Sequence, residues 1–442
     1  MHEGDRRPFP LPSEIADVPG AERWSTMYAP FTRFQPEDDA KFWFCNATHF
    51  PEPLPAFDGI SAEVAYTAIG ANTARLFVFP ATLGIEHRIV NGRVYLAANP
   101  VTDPDEIVRR LEVFQRRAGY YYEHWDRLYG EWKQRMQRAI DELEAIEVPE
   151  LGEMDDEDVV TSGRGYASNH LVRERFHRCI DLYSIVWNHH IEFVMLAFGA
   201  YVVFSEFLTT AFPEIPEQAI ARMVAGIDVV MYRPDEELKR LAALAVELGL
   251  DDLVTDDVEP AAVFAAIAGR GEAGQRWLAE WQTSSVPWFH VSTGDGLYHH
   301  HRSWRDDPRV PLAGMARYVE RLRAGDDLRR PTDRLRAERD EVAAQYRALL
   351  SSEDERAAFD QMLGLCRTTF PYIEEHKFYC EHWFTTQFFA KLRDFGGLLA
   401  RFGVLEDPED VFQLQHYEID QQLANVMLAW AAGSPPVGTD AV

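Results

Sequence analysis

The sequence predicts a mainly α protein, a multi-helix domain with one small β element near residues 73–98. Three observations carry that expectation. Apolar residues recur at three- and four-residue steps through most of the chain beyond Pro104. Asp, Pro and Gly fall where such runs begin and end. Strand-like segments are confined to one stretch, Arg75 to Ala97.

Residues 1–25 are Pro-rich and polar and form an N-terminal arm. Residues 26–100 are an aromatic, Pro-rich segment with a small β element; over residues 26–60, where Phe42-Trp43-Phe44 is followed by Pro51, Pro53 and Pro55, the prolines forbid long helices. Within it, Arg75-Leu76-Phe77-Val78-Phe79 reads as a strand, and His87 to Ala97 as two short strands around an Asn91-Gly92 turn. Residues 101–432 form the helical domain. Its first helix is capped by Asp103 or Asp105. It runs through Ile107, Leu111, Phe114, Ala118, Tyr121, Trp125, Leu128 and Trp132 to about Ile146, before Val148-Pro149-Glu150. An acidic loop spans Met154 to Gly165, and a second long helix His170 to Thr210. Ile215-Pro216-Glu217 opens a third helix reaching Val229. Pro234, followed by Asp235, Glu236 and Glu237, opens a fourth, with acids where the helix dipole favours them.

An acidic linker lies near 251–260, and Ala261 to Trp281 is helical again. The aperiodic stretch 283–309 is a long loop that Trp288, Phe289 and Trp304 anchor, and loops of that length in compact proteins are commonly functional. From Pro311 the chain is helical to about Ala432, and residues 433–442 read as a linker.

The formal net charge of −28 repels nucleic-acid phosphates and anionic lipid, so neither nucleic acid nor membrane is an expected partner. Four cysteines without a C-x-x-C pair suit a reducing compartment, and the first eight residues lack an apolar h-region, so a cytoplasmic location is expected. The most apolar stretch, Phe193 to Phe207, is shorter than a membrane span and is interrupted by Ser205 and Glu206, which makes it a buried core helix.

Histidines gather in three clusters with aromatics and carboxylates. The first is Trp187-Asn188-His189-His190-Ile191-Glu192. The second joins His290 to His299-His300-His301-Arg302-Ser303-Trp304, with Trp288 nearby. The third is Glu374-Glu375-His376-Lys377-Phe378-Tyr379-Cys380-Glu381-His382-Trp383. On a helix, side chains three and four apart meet, so Phe378 can touch Glu381 and His382. A carboxylate beside an imidazole orients it and raises its basicity, which suits either a general base or a satisfied structural pair. Three consecutive histidines point different ways and cannot share one ion, and no H-E-x-x-H spacing occurs, so no metal is expected. Thr161 to His170 has the wrong spacing for a phosphohistidine segment, and Gly294-Asp295-Gly296 is too short for a phosphate cradle. Cations able to hold a phosphoryl group are scattered: Arg88, Arg302, Arg367, Lys377 and Arg393.

Several strings resemble the central, non-ATP-binding portion of phosphoenolpyruvate-synthase-like phosphotransferases, the group that includes phenylphosphate synthase and, more distantly, rifampicin phosphotransferase. They are Phe42-Trp43-Phe44 through Thr48-His49-Phe50-Pro51-Glu52-Pro53, His87 to Gly92, Met223 to Asp228, and Arg233 to Leu238. Further on come Val291-Ser292-Thr293-Gly294-Asp295-Gly296 with Tyr298 to Trp304, Phe370 to His376, and Asp410 to Leu414, so the likeness runs through residues 20–432. In that family an ATP-grasp domain phosphorylates a histidine on a swivelling domain, and that histidine passes the phosphoryl group to an acceptor held by the central region.

The resemblance implies an acceptor-binding domain that presents a phenolic hydroxyl. ATP and Mg would be handled by a partner ATP-grasp subunit, and the phosphoryl carried by a phosphohistidine domain, with no cofactor in this chain. No ATP-grasp motif and no G-G-x-x-S-H segment occur, so the chain is not expected to turn over ATP alone. Site residues then fall into three sets. Catalytic candidates are His299, His300, Glu374, His376, Glu381 and His382. Substrate-binding candidates are His189, His190, Glu192, Trp288, His290, Trp304, Tyr379 and Trp383. Phosphate-binding candidates are Arg302, Lys377 and Arg88. The antibiotic-modifying branch carries R-E-x-x-K where this chain has Ile373-Glu374-Glu375-His376-Lys377, which favours a smaller phenol. A rifamycin acceptor domain, an aromatic-ligand-binding protein and an assembly subunit are the alternatives.

Overall fold

A computed structural model describes residues 40–90, 92–226 and 228–436. The N-terminal arm, Asn91 of the hairpin turn, Ile227 and the last residues of the C-terminal linker lie outside the described residues.

The chain is mainly α with one small sheet. Strand β1 (Phe44–Cys45) precedes helix α1 (Gly59–Gly70), whose last turn widens into a π-helical segment over Ala71–Leu76. That segment replaces the strand expected at Arg75–Phe79: the chain stays helical from Gly59 and buries Asn72 and Thr73, whose side chains bond back to the carbonyls of Ala68 and Ile69. Strands β2 (Thr82–Val90) and β3 (Arg93–Pro100) form the hairpin and are longer than expected; β3 is central, in the order β1-β3-β2, all antiparallel. Gly92 takes a φ of +73° at the turn, which a glycine adopts without strain.

The first long helical region is two helices, α2 (Pro104–Glu123) and α3 (Trp125–Glu144), broken at His124. Asp103 caps α2, its carboxylate accepting from the Asp105 N–H. The acidic loop holds a one-turn helix, α4 (Glu157–Thr161), and α5 (Asn169–Ala211) runs for 43 residues. By length and composition α5 is apolar enough to cross a membrane, so the apolar run is not limited to Phe193–Phe207. Buried positions from Val172 to Leu208 nevertheless recur along its whole length, and it packs against α12, α14 and α1 as a core helix.

Helix α6 (Glu217–Val224) stops earlier than expected, where the chain turns at Gly226 with φ +72°. Helices α7 (Arg233–Glu247), α8 (Pro260–Ala268), α9 (Glu272–Ser285) and α10 (Arg309–Arg323) follow. The region read as one helix from Ala261 is thus two, split at Gly271 with φ +66°. Helix α11 (Thr332–Leu349) leads to α12 (Glu353–Lys377), which opens on a full capping box between Ser352 and Glu355. A second π-helical segment, Phe378–Phe384, joins α12 directly to α13 (Thr385–Arg401), and α14 (His416–Ala432) closes the chain.

Three apolar cores result. The largest gathers the sheet, α1, α3, α5, the second π segment, α13 and α14 around Trp132, Tyr183, Phe193, Tyr372 and Phe388. A second lies within α7–α10 around Trp277, Trp281 and Met315. A third joins the end of α5 to α6, α11 and α12 through Phe204, Met223 and Phe359. Trp288 and Trp304 pack against both the first and the second core. These are the anchors expected of the long loop: they order it by spanning two cores.

Candidate functional site

The loop from Val291 to Pro308 and the π segment Phe378–Phe384 meet face to face. Glycines permit the approach and the packing inside the loop. A Cβ on Gly296, whose φ is +83°, would sit 1.8 Å from the Glu381 carbonyl oxygen, and one on Gly294 would sit 2.5 Å from the His301 ring. Gly296 is therefore where the two backbones meet, and Gly294 makes room for the His301 ring of its own loop. Ser292 and Ser303 close the loop's base as an isolated antiparallel bridge, and the Ser292 N–H donates to His382 Nδ1 at 3.3 Å.

On this loop two histidines are held by carboxylates. His299 Nδ1 lies 2.9 Å from Asp58 Oδ2, and the His299 backbone N–H donates to the same oxygen at 3.3 Å. Asp58 is fully buried ahead of α1, and its other oxygen has no hydrogen-bond partner among the described residues. The Asp58 carboxylate thus fixes one tautomer of His299, with the proton on Nδ1 and the lone pair on Nε2. The His299 ring stacks on Phe412 at 4.1 Å. His301 Nδ1 pairs with Asp295 Oδ1 at 3.0 Å, while His300 stands exposed between them, its Nε2 3.9 Å from Glu52. The three rings do point different ways, as consecutive loop residues must.

Arginines flank this pair. Arg393 donates to the His299 carbonyl at 2.7 Å and to Glu409 Oε1 at 2.7 Å, and Arg302 donates to the same Glu409 oxygen at 2.8 Å. Burial pulls the Arg393 guanidinium below its ordinary value, against the opposing pull of Glu409. Glu409 thus joins Arg302 to Arg393, and Arg393 in turn meets the backbone of His299. No sequence spacing links residue 58 to residue 299, so neither Asp58 nor the contact of Arg393 with His299 is legible in the chain.

The third histidine cluster meets the first. His190 from α5 points at the π segment, with Nε2 3.4 Å from Glu381 Oε1, and its ring lies 4.3 Å from that of His376. His376 donates from Nδ1 to the Tyr372 carbonyl at 2.9 Å. Burial pushes the Glu381 carboxyl up to about 7. It drives His190 down to about 3, His382 down to about 4, and His376 well below its usual value, so these imidazoles are neutral. Lys377 pairs with Glu374 at 3.2 Å on the rim. Along the π segment Glu381 finds its partner in His190 and His382 in the Ser292 N–H, both from other parts of the chain.

The remaining candidates fall elsewhere. His189 faces away from His190, toward Glu192 at 3.7 Å, and Glu192 also accepts from Tyr121 and Arg135. Trp383 stacks on His290 at 5.5 Å and donates to Glu144. Tyr379 packs on Trp132, and Trp288 on Phe378. Trp304 packs on Phe289. Arg88 lies on β2 over the Trp43 ring, in the sheet. Two open clefts lie apart from both groups, one of about 490 Å³ lined by Thr255 to Pro260 with Arg309, the other by Tyr122 to Arg127 with Thr368.

No protein-family model matches the chain, and no curated protein matches it.

Proposed function

We propose that this chain is the acceptor-binding component of a phosphoenolpyruvate-synthase-like phosphotransferase, presenting a phenolic hydroxyl to a phosphohistidine domain in the cytoplasm. The observation that carries the reading is the Asp58–His299 pair, with Arg393 on the His299 carbonyl and Arg302 joined to Arg393 through Glu409. A phenol attacking phosphohistidine must lose its proton while charge builds on the transferred phosphoryl group. His299 Nε2 takes the proton as the phenol oxygen bonds to phosphorus; the phosphorus–nitrogen bond breaks, and its electron pair returns to the donor imidazole. Arg302 is 39% exposed and shares its carboxylate partner with Arg393, so it reaches the phosphoryl oxygens by leaving Glu409. ATP and Mg belong to the partner ATP-grasp subunit.

The residue standing where the antibiotic branch has arginine supports a small acceptor. Ile373 is 6% exposed within the largest core, where a charged side chain would be costly.

The test is a thermal-shift panel of para-substituted phenols and a rifamycin, followed by phosphotransfer in the reconstituted system. Small phenols are expected to raise the melting temperature. Arg302→Ala should abolish transfer while phenol binding persists, and His299→Asn should do the same. A panel without any shift, or unchanged transfer in Arg302→Ala, refutes this function.

A further inference from the structure

A second chemical group stands apart from the Asp58–His299 pair. His190, His376 and Glu381 offer ligand atoms that all lie within 4.8 Å of one another, and both histidines are buried. We propose that these three residues bind a divalent first-row transition ion, with two imidazoles and one carboxylate as ligands.

The spacing is the first argument. His190 Nε2 and Glu381 Oε1 are 3.4 Å apart and make no hydrogen bond. Two ligands on one tetrahedral ion, each at about 2.1 Å, stand about 3.4 Å from each other. A hydrogen bond between the same atoms would draw them to about 3 Å. The second argument is the outer partner of His376. Its Nδ1–H is spent on the Tyr372 carbonyl, which leaves the Nε2 lone pair for an ion and fixes the ring, as metal-bound histidines require. His190 Nδ1 has no hydrogen-bond partner among the described residues, and Nε2 is the nitrogen that faces Glu381.

The π segment supplies the third argument. His376 and Glu381 are five residues apart, and on a regular α-helix such positions point about 140° apart. The wider π turn that begins at Phe378 brings them to one side, and π turns inside helices recur at functional sites. The absence of H-E-x-x-H spacing is thereby explained: the ligand spacing follows the π turn and a second helix. Two nitrogens and one oxygen suit Zn²⁺ or its neighbours, and three protein ligands leave a fourth position for water or a ligand oxygen. Lys377 opposes a cation here, but it turns to Glu374, while Asp295 adds negative charge on the loop side.

The experiment titrates the full chain, stripped of metal by a chelator, with Zn²⁺ against a chromophoric chelator, and separately follows the visible absorption of Co²⁺. One equivalent is expected to bind. His190→Gln and Glu381→Gln should each weaken binding more than about a hundredfold and abolish the Co²⁺ band, beyond the loss typical of an outer partner. Glu381→Gln is nearly isosteric, and an unchanged circular-dichroism spectrum will show that it folds. His300→Gln should bind as the parent does. Absence of stoichiometric binding by the parent chain, binding untouched by Glu381→Gln, or binding lost only in His300→Gln each overturns the proposal.

Discussion

Gly296→Ala is the sharpest perturbation of the loop that carries His299 and His301. The new methyl carbon would stand 1.8 Å from the Glu381 carbonyl oxygen, about 1.5 Å inside the ~3.3 Å at which carbon and oxygen meet. Backbone lies on both sides of that contact, so neither partner yields by a rotamer change. A φ of +83° adds about 1–2 kcal/mol for any residue with a Cβ. Overpacking adds about 1–3 kcal/mol more. Gly325 is the internal control, with φ +84° and nothing within 4 Å of its Cβ position. Gly325→Ala should therefore cost the conformational part alone, and the difference of about 1–3 kcal/mol isolates the contact between loop and π segment. Hydrogen exchange reads each turn separately. Amides from Ser292 to Trp304 should exchange about 5- to 150-fold faster in Gly296→Ala than the Gly325→Ala effect on its own turn. Equal effects of the two substitutions would show that the loop does not rest on the π segment.

Three further outcomes follow from the same geometry. His290 is fully buried against Trp383, and burial holds its imidazole near pH 4 against an ordinary 6.5. The unfolded chain takes up that proton first as pH falls, so the His290 contribution is intact above pH 6.5 and is lost between 6.5 and about 4. The gap amounts to about 3 kcal/mol. His290→Gln should flatten the acid limb of a stability profile across that window, and an unchanged slope would refute a neutral buried imidazole. Asp58→Ala removes the acceptor of both the ring and backbone N–H of His299 and should cost about 1–3 kcal/mol for each group left unpaired, with loss of the fixed Nδ1–H tautomer in nitrogen NMR. Ser352→Ala breaks the capping box of α12 and should cost about 1 kcal/mol, seen as faster exchange in the first turn only; protection lost through to Lys377 would contradict a local cap.

The helical class, a small sheet built on one hairpin and most helix positions were legible in the chain, because periodicity and caps act within a few residues; the short strand β1 at Phe44–Cys45, outside the expected stretch, was not. Asp103 before Pro104 and Pro234 at a first turn are local signals, and each stands at a helix start, whereas the stretch from Pro311, read as helical throughout, is divided into several helices, one of them opening at the Ser352 capping box. Boundaries failed where short-range signals compete. Arg75–Phe79 has strand-like residues, yet the helix before it extends through a π turn that no propensity encodes. The histidine clusters were visible as composition, but their partners were not. His299 pairs with Asp58 across 241 residues and His190 with Glu381 across most of α5 to α12, contacts that exist only once the largest core has closed. In the third cluster, too, the partners came from elsewhere in the chain, Glu381 meeting His190 and His382 the Ser292 N–H. Residue type, charge and helical rhythm belong to the sequence by itself, since each follows from covalent neighbours. Which imidazole meets which carboxylate was decided by tertiary packing, since burial alone brings groups so distant along the chain within hydrogen-bond or ligand distance.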